Sequence, residues 1–545
     1  MLKKYLILLL IILLAVFLRF WNLSSNPPSL TWDEAAWGYN AYSLGTDGRD
    51  EFGRFLPLDY IESFGDFKPP MYAYLDVLPI KIIGLNEFAV RLPSALLGAL
   101  TVLVTYFLTK RIFWNSKEKE LLALLSSFFL AISPWHIMLS RAAFEANVAT
   151  FFLAGGVFLF LKGVQERKWY IVPAITFFVL SMYTFNTARI VAPLLVLFLG
   201  TAFRKQLIEN KKQTLVAILI GILLILPTFR FLLSPQASLR FKEVNIFSDP
   251  GVITTANQQI ENDNNAFWSK ILHNRRLGYA LSYLRHYFDN LSPSFLFIKG
   301  DGNPKFSTQD VGQMYLWDIP FFIMGAFLIF KKRTGFWWII PGWLLIGIIP
   351  AATARETPHA LRIEATLPTF QIITAVGCAI FLTEISNIKN KILNIRIKYL
   401  ALALCFLLLM INFLYYVRNY YVHYPYIYSG EWQYGYEESI NYVKSVEKNY
   451  DNIYITNDLG RPYIYYLFYT KTDPKFFREN SIVKRDAFGF VTVEGFGRYK
   501  FLNDSSQIEK GKNLFIKTPI NVSSQVNVKK TFYLLNKNPI LIAYE

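Results

Sequence analysis

Long apolar runs recur along the first three quarters of the chain, separated by polar connections, and this patterning predicts helices. The first run is 5–20 (YLILLLIILLAVFLRF); others lie at 90–109, 120–137, 147–161, 169–184, 188–203, 214–233, 315–330, 336–352, 362–383 and 399–417. A helix crosses a bilayer with about 20 apolar residues, fewer where flanking groups snorkel, so the pattern predicts about eleven transmembrane helices. Residues 71–84 (MYAYLDVLPIKIIG) are too interrupted to span and predict a helix lying in the interface, as does the amphipathic stretch HNRRLGYALSYLRHYF at 273–288. After residue 417 the long apolar runs stop. NIYIT (452–456) reads as a buried strand and RPYIYYLFYT (461–470) as helix or strand. SIVKR, FGFVTVEGF, NLFIKT and NPILIAY read as further strands between Gly, Asn, Asp and Pro.

The expected architecture is a mainly α, polytopic membrane body at 1–417, with outer loops at 21–89 and 234–314, followed by a small α/β domain at 418–545. Composition agrees: 53% of the 545 residues are apolar and 17% aromatic, too apolar for an ordinary soluble protein. The net charge of +17 sorts with the connections rather than marking nucleic-acid binding. Lysines and arginines crowd alternate connections, at Lys3 and Lys4, Lys110 to Lys119, Lys162 to Lys168, Arg204 to Lys212, Lys331 to Arg333 and Lys389 to Lys398. The positive-inside rule then predicts a cytoplasmic N-terminus, with the two long loops and the C-terminal domain outside the cytoplasmic membrane. No small-residue cleavage site follows the first run, so it reads as a retained anchor. Cys378 and Cys405 fall in apolar helices and form no disulfide framework or metal cluster. Sequons at Asn22, Asn290, Asn503 and Asn521 fall on outer segments and discriminate little.

Chemistry-bearing residues gather on the predicted outer side. Thr31 to Glu34 fits a capping box, which accounts for Thr31 and Glu34 but not for Asp33, beside Trp32, Trp37 and Tyr39. A carboxylate near apolar surface has a raised pKa, which suits a general base taking a hydroxyl proton. Asp66 and Lys68 precede Pro69 and Pro70; the segment could simply be a turn, but a lysine at an outer boundary runs against the charge pattern and suits a phosphate, which favours a functional role. Arg141 and Glu145, four apart after SPWHIMLS, read evenly as a helix-face pair or as functional groups. Arg355, His359 and Arg362 form the sharpest outer cationic cluster, and with Pro358 before a helix start they predict an anion site of side chains and helix-terminal N–H groups. FLFIKGDGNPKFS (295–307) begins like a strand and turns at Gly300, Asp301 and Gly302, for which loop geometry suffices.

An enzyme on the outer face lacks ATP and nucleotide sugars, so its donor must be activated inside and carried across on a polyprenyl phosphate. The chain shows acids to activate a hydroxyl and cations for a leaving phosphate, with no P-loop or dinucleotide motif. The DE pair of the first outer loop, the D-x-K-P-P segment, the SPWHIMLSR turn, the FLF-x-x-GD loop and PHALR-x-x-x-x-LP together resemble protein O-mannosyltransferases and the aminoarabinose transferases that modify lipid A. These are membrane glycosyltransferases of the GT-C fold, and the resemblance covers roughly 1–417.

The resemblance implies an inverting single displacement that moves a sugar from a polyprenyl-phosphate donor to a hydroxyl of a protein, lipid or glycan. Asp33 would be the base, with Asp66 the alternative, and Glu34 would orient it or bind a cation. Lys68, Arg141 and Arg362, assisted by His359 and backed by Arg355, would hold the donor phosphate. Glu145 stands where the family more often has Asp, which puts its role in doubt. A divalent metal is left open, with Asp33, Glu34 and Glu145 the carboxylates at hand. Two rivals are a transporter or flippase of lipid-linked sugars, for which no repeated halves are evident, and a non-catalytic scaffold, which leaves the one-sided acids and cations unexplained.

Overall fold

A computed structural model of the chain describes residues 2–234, 237, 245–387, 392–485, 491–501, 508–522 and 526–545. Asn503, Lys389 and Lys391 lie outside the described residues. The chain is mainly helical, and the predicted apolar runs fall on helices, the run at 120–137 on two of them and the run at 362–383 on one that starts at Thr369. In order these begin with α1 (Leu2–Phe20), α2 (Trp32–Asp47), α3 (Met71–Ile83), α4 (Glu87–Ile112), α5 (Lys119–Ile132), α6 (Pro134–Ser140) and α7 (Glu145–Gln165). The run at 71–84 is the helix α3, which exposes Leu78, Ile82 and Ile83, and the amphipathic stretch is the helix Arg275–Asp289.

Length and composition make five of the described helices able to cross a membrane: Glu87–Ile112, Glu145–Gln165, Lys211–Leu232, Thr369–Ser386 and Lys398–Trp432. A sixth candidate is bent. The run at 120–137 divides into α5 and α6, which meet at 58° where Pro134 removes a backbone donor. The helices at Lys168–Met182, Ala188–Ala202 and Ile339–Thr353 are apolar but shorter. The chain is thus a multi-pass membrane protein by its apolar helices.

By backbone packing the chain divides into two compact units. The first comprises 1–18, 97–139 and 146–416. Its core joins Leu153, Val157, Phe178, Val191, Leu195, Trp343 and Ile373, and the buried Trp343 indole donates to the Ala365 carbonyl at 2.8 Å. Helices Asp318–Lys332 and Thr369–Asn387 cross there at glycines. A Cβ on Gly325 would stand 1.9 Å from the Ile373 carbonyl oxygen, and one on Gly377 2.0 Å from that of Phe321. Small residues let membrane helices approach backbone to backbone, and any side chain at these two positions forces the pair apart.

The second unit comprises 19–96, 140–145 and 417–545. It holds α2, α3 and a hairpin of β1 (Ile61–Ser63) and β2 (Asp66–Lys68), paired Ile61 to Lys68. Phe64 and Gly65 turn the hairpin with φ of 62° and 82°, the two left-handed residues of a tight two-residue loop. Its C-terminal part is a seven-stranded sheet of β3 (Asn452–Ile455), β4 (Ser481–Arg485), β5 (Val491–Phe496), β6 (Tyr499–Lys500), β7 (Asn513–Lys517), β8 (Val528–Tyr533) and β9 (Pro539–Tyr544). The strand order is β4-β5-β6-β3-β7-β9-β8, with β3 parallel to β6 and β7 and the remaining pairs antiparallel. The RPYIYYLFYT segment resolves as the helix Pro462–Thr470, which packs against α2 and against the helix Tyr436–Val446, where Tyr436 and Tyr465 stack at 4.5 Å.

Candidate active site

The capping box forms at the start of α2. The Thr31 hydroxyl accepts from the Glu34 N–H at 3.2 Å, and Glu34 Oε2 accepts from the Thr31 N–H at 2.9 Å. Glu34 is fully buried, and its other oxygen accepts from Arg91 Nε at 2.9 Å and from the Ala143 N–H at 3.0 Å. Arg91 in turn donates to the carbonyls of Leu23, Ser24, Pro27 and Ser29. The Glu34–Arg91 pair therefore pins the 23–29 segment, the start of α2, the first turns of α4 and the 140–145 loop to one another. Both Glu34 oxygens are engaged in this way, and the geometry makes it a positioning group.

Asp33, one residue earlier, points elsewhere. Its carboxylate is 46% exposed and forms an ion pair with Lys68 Nζ, whose side chain is only 8% exposed. The strand β2 sets Lys68: alternation puts Asp66 and Lys68 on one side, while Phe67 on the other meets Tyr60 edge-on at 5.0 Å. The ammonium also lies 5.2 Å from the Trp37 ring and 5.6 Å from Phe64, within cation–π range. Burial acts to lower the Lys68 pKa, but the charges of Asp33, Asp66 and Glu145 outweigh it and raise the pKa above the usual lysine value. One buried, charged lysine thus sits among three carboxylates from α2, β2 and the start of α7.

Arg141 belongs to the same unit but is built in differently. It is fully buried, and its guanidinium donates to the carbonyls of Trp21 at 2.7 Å, Asn22 at 3.3 Å and Asn26 at 2.7 Å and to the Tyr420 hydroxyl at 3.3 Å. The rings of Tyr420 and Tyr421 lie 5.5 and 5.0 Å from it. This is the geometry of a main-chain clamp. Arg91 and Tyr420 went unmarked in the sequence. A lone arginine one residue inside an apolar run was the signal for the first, since such a charge in a membrane segment needs an explanation.

Arg355, His359 and Arg362 fall in the other unit and form a cluster of their own. The expected helix start at Arg362 is absent: Glu364–Thr366 is a single 3₁₀ turn, and the helix begins at Thr369 after Pro368. The backbone amides expected to bind an anion already have acceptors. The His359 N–H donates to Asn290 Oδ1 at 3.0 Å and the Ala360 N–H to Asp301 Oδ2 at 2.6 Å. Nor is the histidine cationic. Burial, then the Arg362 charge, lowers its pKa to about 3, so it is neutral. Arg355 donates to the carbonyls of Asn245 and Ser248, and Arg362 to that of Glu356. Asp301, set aside in the sequence as loop geometry, is the carboxylate that closes this loop, and burial raises its pKa to about 6. The strand-like FLF instead forms a π-helical turn at Ser294–Ile298, because a short apolar run carries no periodicity that separates helix from strand.

Among the described residues no group of three or more His, Cys, Asp or Glu could hold a metal ion. Asp33, Glu34 and Glu145 do not converge as ligands, since Glu34 spends both oxygens on Thr31, Arg91 and Ala143.

A family model described as dolichyl-phosphate-mannose-protein mannosyltransferase matches residues 67–231. An uncharacterized protein of Aquifex aeolicus is 32% identical over 216 residues, which cover 39% of this chain and 40% of that protein. The chain thus spans about two fifths of the length of the curated relative it matches. Among solved structures, ArnT from Cupriavidus metallidurans in the apo state superposes with a TM-score of 0.54 at 12% identity, over 98% of this chain and 97% of ArnT. ArnT bound to undecaprenyl phosphate gives 0.53 at 13% identity, over the same shares. The Archaeoglobus fulgidus oligosaccharyltransferase tethered with an acceptor peptide gives 0.51 at 14% identity, over 86% of this chain and 63% of that one. The fold is that of the membrane glycosyltransferases. Sequence match and shared fold together support the GT-C glycosyltransferase superfamily.

Proposed function

We propose that the protein is an inverting glycosyltransferase that moves a sugar from a polyprenyl-phosphate donor to an acceptor hydroxyl on the outer face of the cytoplasmic membrane. The observation that carries this reading is Lys68: a buried, charged lysine among acidic side chains, next to a half-exposed carboxylate. The undecaprenyl phosphate bound to ArnT and the family model's dolichyl-phosphate donor supply the class of ligand. The acceptor is a hydroxyl of a protein, lipid or glycan.

In this reading the donor phosphate takes over the Lys68 charge, and the released Asp33 carboxylate faces the acceptor hydroxyl. Asp33 accepts the hydroxyl proton as the oxygen bonds to the anomeric carbon, and the bond to the phosphate oxygen breaks. The charge left on the lipid phosphate is neutralised by Lys68, a fixed cation in a water-poor site. Asp66 and Glu145 keep the lysine charged, Asp66 being the alternative base. Glu34, Arg91 and Arg141 position the loop that carries Asp33. Arg362, with Arg355 beside it, is proposed as an anion-holding group of the other unit, His359 acting there as a neutral hydrogen-bonding group. No step is routed through a metal.

The membrane topology belongs to the same proposal: about eleven helices, counting the short apolar ones, a cytoplasmic N-terminus and an extracytoplasmic C-terminal α/β domain. The test is donor class. Purified protein in liposomes, given radiolabelled polyprenyl-phosphate sugars and membrane extract, should transfer label, and nucleotide sugars should give none. Equal transfer from nucleotide sugars, or none from any lipid-linked donor, overturns the reading.

A further inference from the structure

At the ends of three helices of the first unit lies a cleft unrelated to the residues above. It is about 660 Å³ and is lined by Lys110 and Arg111 from the last turn of α4, Trp114 after it, Lys119 from the start of α5, and Glu166 just past α7. Phe107, one turn back on α4, Gln165 and Phe336 complete the wall. Part of this charge is explained locally, since cations complement the dipole at a helix C-terminus. The local account leaves a surplus. Arg111 pairs with Glu166 at 2.5 Å, and Lys110 shares Glu120 with Lys4 at 3.0 and 3.5 Å. Lys119 donates to the Trp114 carbonyl at 3.1 Å and, among the described residues, pairs with no carboxylate. Among the groups that line the cleft, three cations, of which Lys110 and Arg111 are half-buried, therefore meet one carboxylate, Glu166.

We infer that this cleft binds the head group of an anionic phospholipid, with cardiolipin, which carries two phosphates, the chemistry that fits best. Two of the three helices, α4 and α7, are long and apolar enough to cross the bilayer, so their ends lie at its boundary. The charge pattern assigns this end to the cytoplasmic side, where basic pockets between transmembrane helices capture anionic head groups. Exposed Trp114 is a ring type that settles at head-group depth, and exposed Phe107, one to two turns back, offers an apolar face to acyl chains. The inference rests on the membrane reading alone and is independent of the transferase chemistry.

The test is lipid retention by the full-length protein. Native mass spectrometry in neutral detergent, with cardiolipin and phosphatidylethanolamine supplied equally, should show cardiolipin retained in preference. Each basic side chain near a lipid surface contributes about 1 kcal/mol, so Arg111→Gln with Lys119→Gln should weaken retention by about thirtyfold, and the exposed Lys119→Gln alone by about fivefold. Lys205→Gln, on another connection, should change nothing. Equal retention of both lipids overturns the inference, as does wild-type retention by the single variant, which guards against misfolding of the double one. Displacement by glycerophosphate as readily as by lipid would assign the cleft to a soluble phosphate and overturn it too.

Discussion

Glu51 shows what one buried acid does in this chain. It is enclosed in the second unit, where Oε1 accepts from the Ser63 hydroxyl at 3.0 Å and from Asn40 Nδ2 at 3.3 Å, and its own N–H donates to Asn40 Oδ1. Burial pushes its pKa from 4.5 up to about 8, so it is protonated at neutral pH. A carboxyl that binds its proton more tightly folded than unfolded favours the fold fully below about 4.5, and that stability is lost as pH rises through 8. Thermal unfolding should therefore move to lower temperature between pH 5 and 8. Glu51→Gln, which copies the neutral acid, should flatten that slope, and an unchanged slope in the variant would assign the effect elsewhere. Nothing in the sequence marked Glu51, because burial is set by Asn40, Ser63 and Tyr463 from three other segments. Asp33 was legible for a different reason: the capping box explained Thr31 and Glu34 and left it over. The expected apolar wall was only part of its surroundings, since the residue it meets is Lys68 from a hairpin whose turn, Phe64 and Gly65, carries a left-handed phenylalanine that no turn rule anticipates.

Among the elements, the segment between α1 and α2 is the one most fully determined by buried charge. Arg91 and Arg141 collect the carbonyls of Trp21 to Ser29, and the Glu34 carboxylate returns the charge of Arg91. Removing one partner of a buried pair leaves the other uncompensated, at a cost of about 3–5 kcal/mol. Arg91→Met should lower stability by that order, and adding Glu34→Gln should recover part of it. Additive losses in a double-mutant cycle would show that the two side chains do not act as a pair. The helices themselves were readable because apolar runs of this length have few alternatives. Their ends were not: Pro134 divides one run into α5 and α6, and the helix expected at Arg362 starts only at Thr369 because Asn290 and Asp301 hold the preceding amides in a loop. In the C-terminal sheet the alternating strands were visible, while β8 was hidden by its run of Lys529 and Lys530 and two-residue β6 by its length.

At the scale of the whole molecule, the order of motifs along the chain and the share of apolar helices agree with the GT-C fold, which the superposition on ArnT covers almost end to end. Order alone did not foretell which residues would pack as a unit. Asp33, Asp66, Lys68 and Glu145 come from segments up to about a hundred residues apart, yet fall in one compact body with the C-terminal sheet. The central claim is a division of labour within that body, Lys68 holding a lipid phosphate and Asp33 removing a proton. It is tested most directly by measuring polyprenyl-phosphate binding and single-turnover sugar transfer on the same preparations of wild type, Asp33→Asn and Lys68→Gln. Asp33→Asn should bind the lipid phosphate like wild type and transfer at least about a hundredfold more slowly, while Lys68→Gln should lose binding by about tenfold or more. Wild-type transfer by Asp33→Asn, or unweakened binding by Lys68→Gln, would contradict it.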